Sequence, residues 1–512
     1  MTGDGPELFF GLVGAVGTDL GVVTEALQDS LTAVGYNAEP VIHLVRLLCE
    51  LSPYRALPSR EAPRDDYLMR HMDAGDNFRE RIGRHDALAA LGIAEIMQQR
   101  KDAGAVGGDA LPRRAYIIRS LKRPEEVQTL RKVYGTSFFL IAAYAPYEIR
   151  RAKLAKDIAT TNSEYPVSSA HYSKAELLIA RDQEEPGLSH GQKLRDTFHR
   201  ADLFLDLSDN AGAKKATQRF VELIFDHPSH TPTREEYGMF HAWASALRSA
   251  ELGRQVGAAI SSAEGDIITV GTNEVPKAGG GLYWCDDIPD RREYVSGVDS
   301  NDEHKRILIT DTLRLLQKAG WLSSEKNKLP PTELASLAMS GAAPAIPERA
   351  LIRRLIEFGR AVHAEMAAIV DAARRGVSVA RCTMHVTTFP CHLCARHIVA
   401  AGIMEVRYIE PYAKSLTEDL YPDSIVVDSH MSRSDQVIFR PFEGIAPRQY
   451  MHLFSEKARK SNSGEIRKFV PYTAMPRWSE SKRAYREREE DMAATIKSDM
   501  KNRGMHAGFA NL

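Results

Sequence analysis

The hydrophobic positions fall into two regimes along the chain. Through the first 230 residues, short apolar runs alternate with segments of helical period. Leu8–Val16 is a continuous apolar run that reads as a buried strand, and residues 19–33 behind it repeat apolar positions every three to four. Ala115–Ile118, Ser137–Ala142 and Asp202–Leu205 are further runs, each followed by a polar or helical stretch. Strand–helix units repeated in this way predict an α/β layer fold with a mostly parallel sheet. A stretch rich in Pro, Ser, Thr and charge at 227–236 predicts a linker. Beyond it, Met239–Gln255 has helical period, and Val256–Ile260 with Ile267–Val270 read as a hairpin. Residues 277–350 are the least regular and read as an insertion holding a helix-like Ile307–Leu316; 479–502, dense in both charges, reads as an exposed helix. The predicted organisation is a domain over 1–230, a second over 236–478 with its insertion at about 286–350, and a charged tail over 479–512.

Charge narrows the function classes. With 67 Lys+Arg against 68 Asp+Glu, the formal net charge is -1, which counts against a broad grip on duplex nucleic acid. The apolar run at Leu8–Val16 is short and preceded by Asp4 and Glu7, which suits neither a signal peptide nor a membrane span. Five cysteines are too few and too unevenly placed for a disulfide framework. The expectation is a cytoplasmic protein in which a close cysteine pair holds metal.

That pair is Cys391 and Cys394, in Pro390-Cys-His-Leu-Cys394, and it follows His363-Ala-Glu365 across a helix-like Met366–Arg375 and a strand-like Cys382–Thr388. The two half-sites therefore open two helices joined by a strand. Three residues apart, the cysteines face the same way on a first helical turn, where the dipole favours thiolate. One imidazole and two thiolates suit tetrahedral zinc with the fourth position left for water, whose pKa zinc lowers to roughly 7. Glu365, two residues from a ligand, is placed to take the proton from that water and pass it to a ring nitrogen and then to departing ammonia. This spacing is the H-x-E…P-C-x-x-C signature of zinc nucleobase deaminases. The competing reading is structural zinc with His385, His392 or His397 as a fourth ligand.

On these motifs, residues from about 239 to 415 resemble the deoxycytidylate deaminase branch of the cytidine deaminase fold. The resemblance runs through Gly253-Arg-Gln-Val-Gly-Ala-Ala-Ile260, Gly271-Thr-Asn273-Glu-Val-Pro276, Val386-Thr-Thr-Phe-Pro-Cys-His-Leu-Cys394 and Gly402-Ile-Met-Glu-Val-Arg-Tyr408. Ser120–Val127 and Leu130–Gly135 resemble P-loop nucleotide kinases. The two halves together are similar to two-domain bacterial anti-phage dCTP/dCMP deaminases. The resemblance implies a kinase-like parallel sheet followed by a cytidine-deaminase-like α/β/α domain. It implies zinc on His363, Cys391 and Cys394, a proton shuttle at Glu365, and conversion of dCTP or dCMP to deoxyuridine nucleotides, which starves phage DNA synthesis. Homo-oligomers are implied, and in some members a small inhibitory RNA. A housekeeping dCMP deaminase feeding dTMP supply, or a deaminase of RNA or single-stranded DNA, are the alternatives.

Asn273 matches a residue that hydrogen-bonds the sugar 3′-hydroxyl in such deaminases, and is otherwise a turn Asn. Thr387 and Thr388 line the pocket or are plain strand residues, and Phe389 reads as core. Tyr412 and Lys414 are candidates for phosphate contact, or lie on a solvated loop. Arg254 reads first as a structural salt bridge. In the N-terminal half, Gly11–Thr18 has the strand–loop–helix setting of a phosphate loop, with Gly14, Gly17 and Thr18 as candidates for binding a nucleotide effector. In phosphate-loop register, however, Leu12 takes the first Gly position and Thr18-Asp19 replaces Lys-Ser/Thr, so phosphoryl transfer is not expected. Arg150 and Arg151 read as lid arginines or as helix-surface charges.

Overall fold

Seven consecutive buried residues, Leu8–Gly14, form β1 at the centre of the first of two sheets. The run shows no polar alternation because helices cover both of its faces. In this computed structural model, residues 5–105, 109–183, 193–340, 345–347, 350–412, 415–427, 435–455 and 457–505 are described. The chain divides into two units, Met1–Glu236 with Glu443–Leu512, and Tyr237–Phe442.

In the first unit, β1 is joined by β2 (Ile42–His43), β3 (Ala115–Arg119), β4 (Phe138–Tyr144) and β5 (Leu203–Asp206). Their order is β5-β4-β1-β3-β2, all parallel, as the alternating pattern predicts. Leu8, Phe10 and Leu12 pack with Leu27 and Leu31 of helix Leu20–Ala33 and with Phe220 of helix Asn210–Ile224.

Two boundaries differ from expectation. Residues 443–478, assigned by sequence to the second domain, lie in the first unit, where Gly444–Ile445 adds antiparallel to β5. The charged tail does not stand free. Helix Lys482–Asn502 buries Tyr485, Glu489, Ile496 and Met500. Its charge density misleads because part of it is paired inside. The Arg100 side chain is 1% exposed and bonds Glu7 at 2.8 Å and Glu489 at 2.9 Å. The Tyr485 hydroxyl donates to Glu7 at 2.7 Å.

The second unit holds β6 (Gly257–Ser261), β7 (Ile267–Thr272), β8 (Thr383–Thr388), β9 (Glu405–Glu410), β10 (Ile425–Val427) and β11 (Val437–Pro441), in the order β10-β11-β9-β8-β6-β7. The predicted hairpin is β6–β7; β6 also runs antiparallel to β8, and the remaining pairs are parallel. The helix expected to reach Gln255 stops at Ala246, because Ser249 and Ala250 turn to bond Asn273 and Glu274 beyond β7.

Two glycines set the layers. A Cβ on Gly271 would lie 2.1 Å from the Ala364 carbonyl oxygen, and one on Gly257 1.9 Å from that of Ala242. Helix backbone therefore rests directly on strand backbone at both places. Gly271 pairs with Ala258, the neighbour of Gly257, so the two contacts lie on opposite faces and the sheet is sandwiched between helices. The insertion forms helices Ser300–Lys318 and Pro331–Met339, which pack on each other.

Arg100→Met leaves Glu7 and Glu489 buried without their cation and is expected to lower stability by about 3–5 kcal/mol. Arg483→Ala, at an exposed pair with Glu487, is expected to cost under about 1 kcal/mol. Urea titration of both variants against the unaltered chain checks the contrast.

Candidate active site

His363 and Cys391 occupy equivalent places. Each is the extended residue immediately before a helix, His363 (φ -66°, ψ 153°) before Ala364–Arg374 and Cys391 (φ -73°, ψ 164°) before His392–Ala400. Gly271 fixes the first helix on β7, and the end of β8 at Thr388 delivers Cys391 through Phe389 and Pro390. His363 Nδ1 lies 3.3 Å from Cys391 Sγ and 3.4 Å from Cys394 Sγ.

These spacings fit a tetrahedral ion. Bonds of about 2.0 Å to nitrogen and 2.3 Å to sulfur place the two ligand atoms about 3.5 Å apart. Among the described residues the group has three members, and His385, His392 and His397 are not in it. The structural four-ligand alternative loses its support. His392 instead faces Glu357 at 3.7 Å, and His385 is buried in β8 beneath Gly238.

The electrostatics also favour a cation. The Cys394 thiol donates to Cys391, and with His363 beside it this holds the Cys391 thiol well below its ordinary range. That donation, together with burial, raises the Cys394 thiol well above its ordinary range. His363 is pushed up to about 9, first by its bond to Cys391. Glu365 is 4% exposed, and burial followed by the Cys391 charge pushes it up to about 7.

His363, Glu365 and Cys391 border a cavity of about 340 Å³. Asn273 borders it too, but its Oδ1 accepts from Val256 N–H at 2.7 Å and its Nδ2 donates to the Arg254 carbonyl at 2.7 Å. Its amide therefore braces the 254–256 turn. Thr388, rather than Thr387, lines the wall; the Thr387 hydroxyl accepts from Gly257 N–H at 3.2 Å. Successive strand residues point to opposite faces, so one position decides which threonine meets the cavity. Phe389 borders the cavity while packing edge-on against Tyr408 and Phe439 in the core. Tyr412 lines the cavity, Arg254 lines it while pairing with Glu410, and Lys414 lies outside the described residues.

The motifs miss one wall. Glu251 borders the cavity, as do Asp299 and Asn301 at the start of an insertion helix and Ile356 and Gly359 after it. Asp299 caps that helix through Asp302 N–H, a signal visible in sequence as Asp before a helical run, but nothing there tells which site the helix borders. In the first unit, Gly14, Gly17 and Thr18 border a cavity of about 460 Å³ at the end of β1. Arg150 is buried and donates to the Ala145 carbonyl, whereas Arg151 pairs with Glu176 and Glu148 on a helix surface.

Residues 232–410 match the family described as the cytidine and deoxycytidylate deaminase zinc-binding region. The C-terminal region is thus a dCMP/cytidine deaminase domain, and zinc is the metal the match supports. A deoxycytidylate deaminase of Enterobacteria phage T4 is 46% identical over 54 residues, 10% of this chain and 28% of that protein. One from Pongo abelii is 26% identical over 174 residues, 34% of this chain and 63% of that protein. The dCMP deaminase of cyanophage S-TIM5, solved with dCMP and dUMP, aligns at 16% identity and a TM-score of 0.22, covering 41% of this chain and 98% of that one. The chain spans 29% of the phage T2 deoxycytidylate deaminase and 28% of the phage T4 protein it matches. Among the described residues, no helix is long and apolar enough to cross a membrane.

Cys394→Ser is expected to abolish zinc retention through gel filtration, measured by elemental analysis. Gly271→Ala, which moves the helix bearing His363, is expected to weaken zinc retention at least tenfold in a chelator competition.

Proposed function

We propose that the second unit is a zinc-dependent hydrolytic deaminase of deoxycytidine nucleotides, dCTP or dCMP, with His363, Cys391 and Cys394 as ligands and Glu365 as proton shuttle. The observation that carries this is the N–S–S triangle at tetrahedral spacing with a desolvated carboxyl on the same helical turn as His363, with His363, Cys391 and Glu365 bordering one cavity. Zinc held there supplies a water acidic enough to be a nucleophile at neutral pH.

The chain's own groups do the rest. Glu365, its affinity for a proton raised by burial, takes a proton from the attacking water and delivers it to the ring nitrogen beside C4. A C–O bond forms at C4; Glu365 then takes the proton of the new C4 hydroxyl and passes it to the amino nitrogen, and the C–N bond breaks as ammonia leaves and the C4 carbonyl forms. Thr388 and Phe389 wall the ring, Asn273 holds the 254–256 turn, and Arg254 supplies a cation at the cavity for a phosphate. The Glu251 carboxylate oxygen Oε2, buried and without a hydrogen-bond partner, is an acceptor suited to a sugar hydroxyl. Asn273 and Thr387 act on the substrate at one remove, through the 254–256 turn and through Gly257, and Lys414 is a proposed phosphate contact.

The five parallel strands β1–β5 around a glycine-bearing loop support the kinase-like reading of the first unit. The defence role, and a small-RNA brake on it, rest on the resemblance of the two-unit chain to anti-phage deaminases. Ile288 at 97% exposure and Trp321 at 79% support self-association through the insertion.

Ammonia release by zinc-loaded protein tests the reading against dCTP, dCMP, CTP, deoxycytidine, single-stranded DNA and RNA. Turnover of dCTP or dCMP is expected, falling about 10²–10⁴-fold in Glu365→Ala while zinc is retained. Release from a polymer alone would replace this function with nucleic-acid editing, and release from dCMP but not dCTP would favour the housekeeping role.

A further inference from the structure

Apart from the deaminase site, one other group of metal-binding side chains comes together among the described residues. Glu222, His227 and His230 each bring a ligand atom to within 4.8 Å of the other two. All three lie in one short stretch of the first unit, just before its boundary at Glu236. Glu222 sits in the last turn of helix Asn210–Ile224, and the chain then reverses. Asp226 takes up the left-handed conformation (φ 59°), which aspartate tolerates better than most side chains. Two backbone bonds close the reversal, Asp226 N–H to the Leu223 carbonyl at 3.2 Å and His227 N–H to the Glu222 carbonyl at 2.9 Å. The second returns His227 to the turn that carries Glu222. His230 follows, with Nε2 2.5 Å from Glu222 Oε2. Its ring stacks on that of His227 at 4.2 Å between centroids, and Phe469 packs on His227 at 4.6 Å.

A carboxylate–imidazole ion pair accounts for Glu222 and His230 and needs no second imidazole. A second one, brought to the same place through a left-handed aspartate, is what a metal site requires. Gln218 Nε2 donates to Glu222 Oε1 at 2.8 Å, which orients the carboxylate and keeps Oε2 toward the histidines. The cations nearby are engaged with other groups. Lys457 Nζ donates to the His227 carbonyl at 3.3 Å, Arg459 Nε to the Pro228 carbonyl at 3.1 Å, and Arg467 and Arg477 each pair with Asp226 at 3.6 Å. They brace the backbone of the turn, and their charge makes this a weaker cation site than the thiolate cluster at His363.

We propose that Glu222, His227 and His230 bind an exchangeable zinc ion, which clips the chain leaving the first unit onto helix Asn210–Ile224. Two imidazoles and one carboxylate suit zinc, and water completes the tetrahedron, so the ion stays open to exchange. On binding, zinc takes the place of the proton between His230 and Glu222. That pair opens from 2.5 Å to the about 3.3 Å that two ligands of a tetrahedral ion require. The long contact of Ser229 N–H with His227 Nδ1, 3.3 Å, is given up. None of the three residues lines the cavity at His363 or the one at β1, so the ion holds the turn and takes no part in deamination.

Equilibrium dialysis of the full chain against zinc tests this, with Cys394→Ser alongside to empty the deaminase site. The unaltered chain is expected to take up two zinc ions and Cys394→Ser one. Adding His230→Gln to Cys394→Ser, which keeps a hydrogen-bonding side chain beside Glu222, is expected to weaken uptake of the remaining ion at least tenfold. Zinc should raise the melting temperature of Cys394→Ser and leave that of the double variant where it was. Cobalt bound to Cys394→Ser is expected to lack the thiolate-to-metal absorption that an ion left on Cys391 would give. In the otherwise unaltered chain His227→Gln is expected to lower two ions to one, a count independent of how Cys394→Ser folds. A single zinc on the unaltered chain, unchanged affinity in the histidine variants, or a thiolate band in Cys394→Ser would overturn the site. Zinc uptake by Cys394→Ser is read without any substrate, so failure of the deaminase reading leaves it untouched.

Discussion

The deaminase unit depends on a backbone-to-backbone contact at Gly271. Helix Ala364–Arg374 lies so close to β7 that a single methyl there would sit 2.1 Å from the Ala364 carbonyl oxygen. That closeness fixes the first turn of the helix, which holds His363 at its cap and Glu365 one residue inside. Cys391 is fixed independently, by the end of β8. The metal-ligand triangle is therefore the meeting of two rigid edges, and the geometry of His363 against Cys391 and Cys394 is set by the sheet rather than by the loops around it.

The contact has an electrostatic consequence. It brings two helix N-termini, two thiols and a desolvated carboxyl into one small volume. The helix ends favour thiolate, but two thiolates and Glu365 cannot all be charged in a buried site without a balancing cation. Protonation resolves the conflict in part, as the opposite displacements of the Cys391 and Cys394 thiols show. A divalent ion resolves it fully and leaves the Glu365 carboxyl to respond to the substrate. Metal affinity and proton affinity are thus one property of this cluster.

Those half-motifs were legible because metal chemistry imposes residue type and spacing that few other demands produce together. The sheet of the first unit was legible because unbroken apolar runs admit few alternatives to buried strands. Legibility ended where three-dimensional pairing decides. Thr387 and Thr388 differ by one position in a strand, and a hydroxyl claimed by Gly257 N–H cannot be told from one facing a cavity. Asn273 sits where its motif puts it, yet both ends of its amide are taken by the 254–256 turn. The insertion's share of the wall leaves no motif, since Asp299 and Asn301 do there what any helix start does. The last helix carries the charge density of a solvated tail, and its burial depends on Arg100, almost 400 residues away in sequence.

The same physical rule governs both units with opposite sign. Around His363 the fold gathers groups that become negative and so calls for a cation; around Arg119 it gathers cations, with Asp19 as the opposing charge that acts on Arg119. A formal net charge of -1 conceals both, because composition adds charges that the fold keeps apart. Leaving like charges half-buried and unpaired costs free energy, and a sequence under no other demand would lose them to neutral side chains.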